Sequence, residues 1–150
     1  MDYKYVSKNE MDTLMLAQNI ESEKFENMVI CLDGELGSGK TVFVKGFAKG
    51  LGIDENITSP TFNIVKEYLE GEMPLYHMDV YRLDENDDSV GFNDYFVKNG
   101  VCIIEWSEII KDKLPEERLD IKFKIIDENT RVLLFSPHGL KYEELCDSVL

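Results

Sequence analysis

Gly34, Gly39, Lys40 and Thr41 lie at the spacing G-x-x-x-x-G-K-[ST], which is typical of a loop that binds phosphate. The glycines allow the backbone to curl until its N–H groups point at phosphate oxygens, and the helix that follows presents its positive N-terminus to the same anion. In this motif the lysine reaches the β- and γ-phosphates, and the threonine hydroxyl is a ligand of Mg²⁺. The motif lies between a predicted strand and a predicted helix, as a P-loop requires.

Two acidic residues close apolar segments further along the chain. Asp79 follows "LYHM" and Glu105 follows "VCII". Carboxylates at the carboxyl ends of core strands lie where open α/β sheets bind ligands, and a P-loop site needs an acid there as a second contact to Mg²⁺. A purely structural role for either acid would require a buried partner. We therefore predict that Asp79 binds Mg²⁺, and that Glu105 either joins the metal site or positions a water.

The segment "TSPTF" (58–62) lies between the P-loop helix and the next predicted strand, where switch loops contact a γ-phosphate. The hydroxyls of Thr58, Ser59 and Thr61 could make this contact, and Pro60 stiffens the loop. A plain turn explains the segment equally well, so both interpretations stay open.

Other residues give weaker signals. A lone tryptophan such as Trp106 usually packs in a core, and we interpret His77 and His138 as structural rather than catalytic. Arg82 follows Asp79 closely and could contact phosphate, although a surface ion pair is an equally good interpretation.

The remaining sequence predicts the elements that position these residues. Ser7 and Glu10 match a capping box, which predicts a helix through about Ile20. Short apolar runs predict buried strands at 28–34 and 101–106. The other predicted elements are a helix from the P-loop to Gly50 or Gly52, an antiparallel hairpin in 62–83, a short helix at 88–98, a helix or turn up to Pro115, a hairpin of 119–127 with 131–136, and a C-terminal helix at 142–150. This order predicts a single α/β P-loop NTPase domain over residues 1–150, with a mixed central sheet flanked by helices.

Composition and charge limit the classes of partner. The formal charge of −14 disfavours strong direct binding to nucleic acid, because such binding rests on lysine and arginine neutralising phosphates. A basic partner protein, or simple solubility, fits this charge better. No apolar run is long enough to span a membrane, and the first residues lack the order of a signal peptide. We therefore expect a cytoplasmic protein whose three cysteines are buried and reduced.

The phosphate-binding motif alone is compatible with several activities. The sequence contains neither N-K-x-D nor L-S-G-G-Q, which argues against a guanine-binding switch and against an ABC cassette, and no arginine-rich lid of a nucleoside kinase is evident. Three hypotheses remain: an accessory ATPase whose output is conformational, a small-molecule kinase, and a binding module that uses nucleotide as a ligand.

Four motifs taken together resemble a known family. In their order and spacing, "GELGSGKT", "TSPTF", "LYHMDVYRL" and "VCIIEW" resemble the bacterial TsaE (YjeE) family, ATPases of tRNA threonylcarbamoyladenosine biosynthesis. The resemblance implies that the chain binds ATP and Mg²⁺, and that ATP hydrolysis resets a TsaB–TsaD complex in which TsaD transfers a threonylcarbamoyl group to a tRNA adenosine. The chain would then contact tRNA only indirectly, and no membrane would be involved.

The resemblance also implies roles for individual residues. Asp79 would be the Walker B acid on Mg²⁺. Ser59 and Thr61 would belong to a switch-I-like loop, and Glu105 with Trp106 would form a switch-II-like element needed for turnover. The predicted catalytic residues are Lys40, Asp79 and Glu105, and the predicted metal ligands are Thr41, Asp79 and Glu105. The predicted nucleotide-binding residues are Glu35, Leu36, Gly37, Ser38, Gly39, Lys40, Thr41 and Val42.

Val42 departs from the family pattern. Family members commonly carry a second threonine after the Walker threonine, whereas this chain has valine. If that second hydroxyl contacts the α-phosphate, the chain lacks one hydrogen bond, worth about 0.5–1.5 kcal/mol. The substitution would affect nucleotide affinity and leave the fold unchanged.

Overall fold

A seven-stranded mixed sheet organises the protein, as seen in a computed structural model that describes residues 2–60, 64–83 and 91–150. The strand order is β1-β7-β6-β2-β5-β4-β3. The strands are β1 (Tyr3–Ser7), β2 (Val29–Gly34), β3 (Val65–Tyr68), β4 (Leu75–Asp79), β5 (Val101–Glu105), β6 (Arg118–Ile125) and β7 (Arg131–His138). The helices are α1 (Glu10–Glu21), α2 (Lys40–Gly50), α3 (Phe92–Phe96) and α4 (Leu140–Val149), with a 3₁₀ helix at Ser107–Lys113.

The parallel strands form the centre of the sheet. β2 pairs in parallel with β5 on one side and with β6 on the other, and β4 pairs in parallel with β5. The antiparallel strands lie outside them, with β3 beside β4, and with β7 and then β1 beyond β6. Every residue of β5 is buried, as expected for a strand covered on both faces. The carboxyl ends of β2, β4 and β5 therefore meet at one edge of the sheet.

Helices cover both faces of the sheet. Ile30 and Leu32 of β2 pack in one apolar cluster with residues of α1, α2 and α4. Val29 and Cys31 of the same strand pack in a second cluster with residues of α3 and the 3₁₀ helix. This alternation follows the two-residue period of a strand. The mixed sheet with flanking helices confirms the predicted fold class.

The largest difference from the predicted elements concerns the N-terminal segment. The capping-box prediction is wrong: Ser7 ends β1, and Asn9 caps α1 by accepting a hydrogen bond from the Asp12 backbone N–H at 2.8 Å. The Ser7 hydroxyl instead donates to the Asn9 carbonyl at 2.8 Å and lies 2.7 Å from the Thr13 hydroxyl. The edge strand β1 was not predicted.

Most other elements agree with their sequence patterns. Both predicted hairpins are antiparallel pairs. The short helix predicted at 88–98 covers Phe92–Phe96, and residues 88–90 lie outside the described residues. All three cysteines are buried and free, and burial raises the pKa of Cys102 to about 12. Within the described part of the chain, every helix is too short or too polar to cross a bilayer.

Candidate functional site

Glycines shape both ends of the loop between β2 and α2. At Gly34, an added Cβ would lie 2.8 Å from the Phe123 carbonyl oxygen and 2.8 Å from the Ser38 hydroxyl, so only glycine fits. At Gly39, the residue before α2, φ is +105°, a conformation that other residues rarely adopt. These two glycines let the loop leave β2 and turn sharply into α2.

The N-terminus of α2 is suited to binding an anion. Its first turn carries no acidic residue, and no side chain caps it. The Ser38 hydroxyl is completely buried and has no hydrogen-bond partner among the described residues. A buried hydroxyl without a partner is unfavourable, and a phosphate oxygen at this position would satisfy it together with the free N–H groups of the helix. This observation supports the predicted phosphate cradle.

Lys40 is almost fully buried in the loop. Its Nζ donates to the carbonyls of Gly34 at 2.6 Å and Glu35 at 3.1 Å, and lies 4.1 Å from the centroid of the Trp106 ring. Burial lowers the pKa of Lys40, and the nearby carboxylates, Glu105 first among them, oppose this effect. The ammonium group is therefore held beside the cradle by neutral partners, which it can exchange for phosphate oxygens.

The two predicted acids are neighbours at the carboxyl edge of the sheet. Asp79 lies directly opposite Glu105 in the β4–β5 pairing. Both carboxylate oxygens of Glu105 lie 3.2 Å from the Thr41 hydroxyl, and the Ser59 hydroxyl donates to Asp79 at 2.6 Å. The structure thus brings the three predicted metal ligands together and adds Ser59 from the predicted switch loop. Thr61 lies outside the described residues.

These oxygen ligands fit Mg²⁺. A threonine hydroxyl and carboxylates are hard oxygen donors, and Mg²⁺ in nucleotide sites is usually held by one or two carboxylates together with substrate phosphates. The arrangement therefore suits a metal that arrives with phosphate oxygens.

Trp106 belongs to the site. Its backbone N–H donates to the Leu32 carbonyl at 2.9 Å, and its φ of +62° places it in the left-handed region at the start of the 3₁₀ helix. The ring contacts Lys40 and lies 4.7 Å from the Tyr81 ring, measured between centroids. Trp106 therefore packs against the phosphate loop, where a change in the position of Lys40 would alter its surroundings.

His77 is also closer to the site than its sequence context indicates. Its Nε2 lies 2.6 Å from a carboxylate oxygen of Glu105, and both side chains are buried. From the sequence we interpret His77 as structural, because one histidine in an apolar strand carries no motif. The one available signal was its spacing from Asp79, since alternate residues of a strand share a face.

The loop and the two acids line one cavity of about 460 Å³. Its lining includes the predicted residues Leu36, Gly37, Ser38, Gly39, Lys40, Thr41, Val42, Ser59, Asp79, Glu105 and Trp106. Glu35 is not among the lining residues, but its carbonyl accepts a hydrogen bond from Lys40.

The cavity has a second wall that the sequence did not indicate. It is formed by the start of α1 and by the turn between β6 and β7, through Asn9, Glu10, Thr13, Glu128, Asn129 and Arg131. Arg131 donates to the Gly37 carbonyl at 3.3 Å, whereas Arg82 is exposed and is not a lining residue. No local pattern could have identified this wall, because it is assembled from segments far apart in the chain.

Comparisons with known proteins agree on one family. The family model for TsaE, threonylcarbamoyl adenosine biosynthesis protein TsaE, matches residues 7–133. The tRNA threonylcarbamoyladenosine biosynthesis protein TsaE of Bacillus subtilis is 48% identical over 121 residues, covering 81% of this chain and 77% of the relative. The Treponema pallidum protein of the same name is 41% identical over 128 residues, covering 84% of this chain and 94% of the relative.

A solved structure is similar over almost the whole chain. The crystal structure of YdiB from Bacillus subtilis superposes with a TM-score of 0.86 at 40% identity, covering 99% of this chain and 94% of that one.

Proposed function

Because the chain belongs to the TsaE family and has a role in tRNA threonylcarbamoyladenosine biosynthesis, we propose that it is an accessory ATPase that binds and hydrolyses Mg²⁺-ATP in the cavity described above. One observation carries this proposal. One cavity at the N-terminus of α2 is lined by the loop cation, the hydroxyl that follows it and the two strand-end acids: Lys40, Thr41, Asp79 and Glu105. This set of groups matches what phosphoryl transfer from a nucleotide requires.

Each group has a defined part in the proposed reaction. Lys40 exchanges the Gly34 and Glu35 carbonyls for phosphate oxygens and neutralises charge that develops on the γ-phosphate. The Ser38 hydroxyl and the α2 N–H groups donate to the same phosphates. Thr41 and Asp79 would hold Mg²⁺, which when bound draws charge from the β- and γ-phosphate oxygens.

In the proposed reaction Glu105 orients the attacking water beside Thr41. The water oxygen bonds to the γ-phosphorus as the bond to the ADP oxygen breaks. One water proton stays on the phosphate and the other is released to solvent, which yields ADP and inorganic phosphate. A pocket for a second, phosphate-accepting substrate is not required by this reaction.

The partner of this ATPase is proposed to be a TsaB–TsaD complex. The net charge of −14 is unfavourable for direct tRNA binding and is compatible with a protein partner. The chain would then act on the protein complex, and tRNA would be contacted only indirectly. The cytoplasmic location expected from the sequence stays a prediction.

Phosphate release is the direct test. ATP turnover should be slow with this chain alone and faster when TsaB and TsaD are added. The products should be ADP and inorganic phosphate in equal amounts. Strong hydrolysis that TsaB and TsaD do not change would contradict an accessory role, and ADP accompanied by a phosphorylated metabolite would identify a kinase instead.

A further inference from the structure

His77 is a buried polar residue that the proposed reaction does not use. It lies on β4 and is completely inaccessible to solvent, and Glu105 on the neighbouring strand β5 is only 3% exposed. The 2.6 Å contact between His77 Nε2 and Glu105 is shorter than the 3.2 Å contacts from Glu105 to Thr41. The Glu105 carboxylate therefore lies between two partners: His77 in the buried interior and Thr41 of the P-loop, which lines the cavity.

The hydrogen-bond pattern indicates which ring nitrogen of His77 carries the proton. A carboxylate only accepts hydrogen bonds, so Nε2 must donate to Glu105. The other nitrogen, Nδ1, is buried and has no partner among the described residues. Within the described part of the chain, Glu105 is therefore the one hydrogen-bonding partner of the His77 ring.

The position of Glu105 determines how Thr41 presents its oxygen. A hydroxyl has one donor and two lone pairs. When the Thr41 O–H points at Glu105, its lone pairs are free on the other side, where the cavity lies. If the Glu105 carboxylate rotated, the Thr41 hydroxyl would lose its hydrogen-bond acceptor. The contact between His77 and Glu105 therefore affects the orientation of Thr41, which is two hydrogen bonds away from His77.

We propose that His77 is a positioning residue: it fixes the Glu105 carboxylate against Thr41, so that both residues are oriented for the metal and nucleotide before either binds. This inference rests on the proposed function of the same site. Hydrogen-bonding partners behind metal ligands usually influence affinity or activity by about 10- to 100-fold.

A purely structural role for His77 predicts different behaviour, and two substitutions separate the roles. Glutamine places its amide nitrogen where Nε2 of histidine lies, whereas asparagine places it where Nδ1 lies. Both are neutral amides of similar polarity, but only glutamine can donate to Glu105. His77→Gln should therefore preserve the contact, and His77→Asn should remove it, with thermal unfolding recorded for both variants.

The functional test compares nucleotide binding and turnover. We expect His77→Asn to lower the rate of phosphate release with TsaB and TsaD by about 10- to 100-fold and to reduce the gain in ATP affinity that Mg²⁺ provides. ADP affinity measured in EDTA should stay at the wild-type value, and His77→Gln should resemble the wild type in every measurement. In a Glu105→Gln background, His77→Asn should have no further effect on turnover, because His77 acts through Glu105.

The proton on Nε2 of His77 gives a readout that needs no nucleotide. The chain has two histidines, so His138→Gln assigns the His77 signals in a ¹H–¹⁵N spectrum. The spectrum should show a proton on Nε2 of His77, and Glu105→Gln should shift the Nε2 signal.

Equal turnover and equal Mg²⁺ dependence in His77→Asn and His77→Gln would overturn the inference, whether both match the wild type or both fall with stability. A His77 ring without a proton on Nε2 would also overturn it. If the wild type binds Mg²⁺-ATP but releases no phosphate with TsaB and TsaD, the proposed ATPase function fails. The inference is then decided by the Mg²⁺ dependence of ATP affinity in the two variants.

Discussion

Replacing Lys40 by methionine should abolish tight nucleotide binding with little change in the stability of the ligand-free protein. The wild-type ammonium makes two hydrogen bonds to backbone carbonyls, worth about 1.5–3 kcal/mol each for a charged donor, and a contact with the Trp106 ring worth about 0.5–2 kcal/mol. Burying the charge opposes these terms by several kcal/mol. Because the opposing terms are similar in size, we expect the free energy of unfolding of Lys40→Met to differ from that of the wild type by no more than about 2 kcal/mol.

The pH dependence of stability should change in a defined direction. Burial lowers the pKa of Lys40 below its ordinary value of 10.5, so in the pH window between the two values the unfolded chain binds more protons than the folded protein. Stability contributed by this group therefore rises as the pH increases through that window. Chemical denaturation at alkaline pH should show this rise in the wild type and not in Lys40→Met.

The loss of affinity should be large. Without Lys40, the phosphates lose charge-assisted hydrogen bonds, worth about 1.5–3 kcal/mol each. We expect nucleotide affinity to fall by about 100-fold, which corresponds to about 2.7 kcal/mol. Lys45→Met is the matched control, because Lys45 is an exposed residue of the same helix.

Trp106 supplies the assay. It is the only tryptophan in the chain, and its ring lies 4.1 Å from the Lys40 ammonium. Titration with Mg²⁺-ADP should change the tryptophan emission of the wild type and of Lys45→Met, with equal midpoints. If Lys40→Met binds Mg²⁺-ADP as tightly as the wild type, Lys40 is not a phosphate ligand and the assignment of the site is wrong.

Three further substitutions test other parts of the site. Glu105→Gln keeps the side-chain volume but removes the charge. The rate of phosphate release with TsaB and TsaD should fall by at least about 100-fold, whereas ADP affinity should be retained. An unchanged rate would show that Glu105 is not a catalytic residue. Val42→Thr adds a hydroxyl on the cavity wall, and ADP titration should show an affinity gain of about 0.5–1.5 kcal/mol; no gain would mean that this position does not face phosphate. Gly34→Ala places a methyl group 2.8 Å from both the Phe123 carbonyl oxygen and the Ser38 hydroxyl. Thermal unfolding should therefore show that the free energy of unfolding falls by about 1–3 kcal/mol. Wild-type stability would contradict the close packing of the loop.

Local patterns were sufficient to predict the centre of the sheet and the phosphate loop. β2 and β5 are apolar runs buried on both faces, and the residues that form the loop are contiguous in sequence. The acids Asp79 and Glu105 were predictable because each ends such a run, and parallel strands bring their carboxyl ends together.

The features that could not be predicted depend on contacts between distant segments. β1 is a short edge strand with alternating exposure, and it is stabilised by pairing with β7 at the other end of the chain. The local pattern indicates a helix cap at Ser7 because it cannot show that pairing. Arg131 reaches Gly37 only because β7 lies beside β6, whose other neighbour is β2.

Multiple-turnover tRNA modification is the most direct test of the proposed role as an accessory ATPase. TsaB, TsaD, unmodified tRNA and the threonylcarbamoyl donor would be incubated with ATP, in the presence or absence of this chain. We expect each TsaB–TsaD complex to modify many tRNA molecules only when the wild-type chain is present, and Lys40→Met not to replace it. Equal numbers of modified tRNA per complex without the chain, or with Lys40→Met, would show that ATP hydrolysis by this chain is not needed.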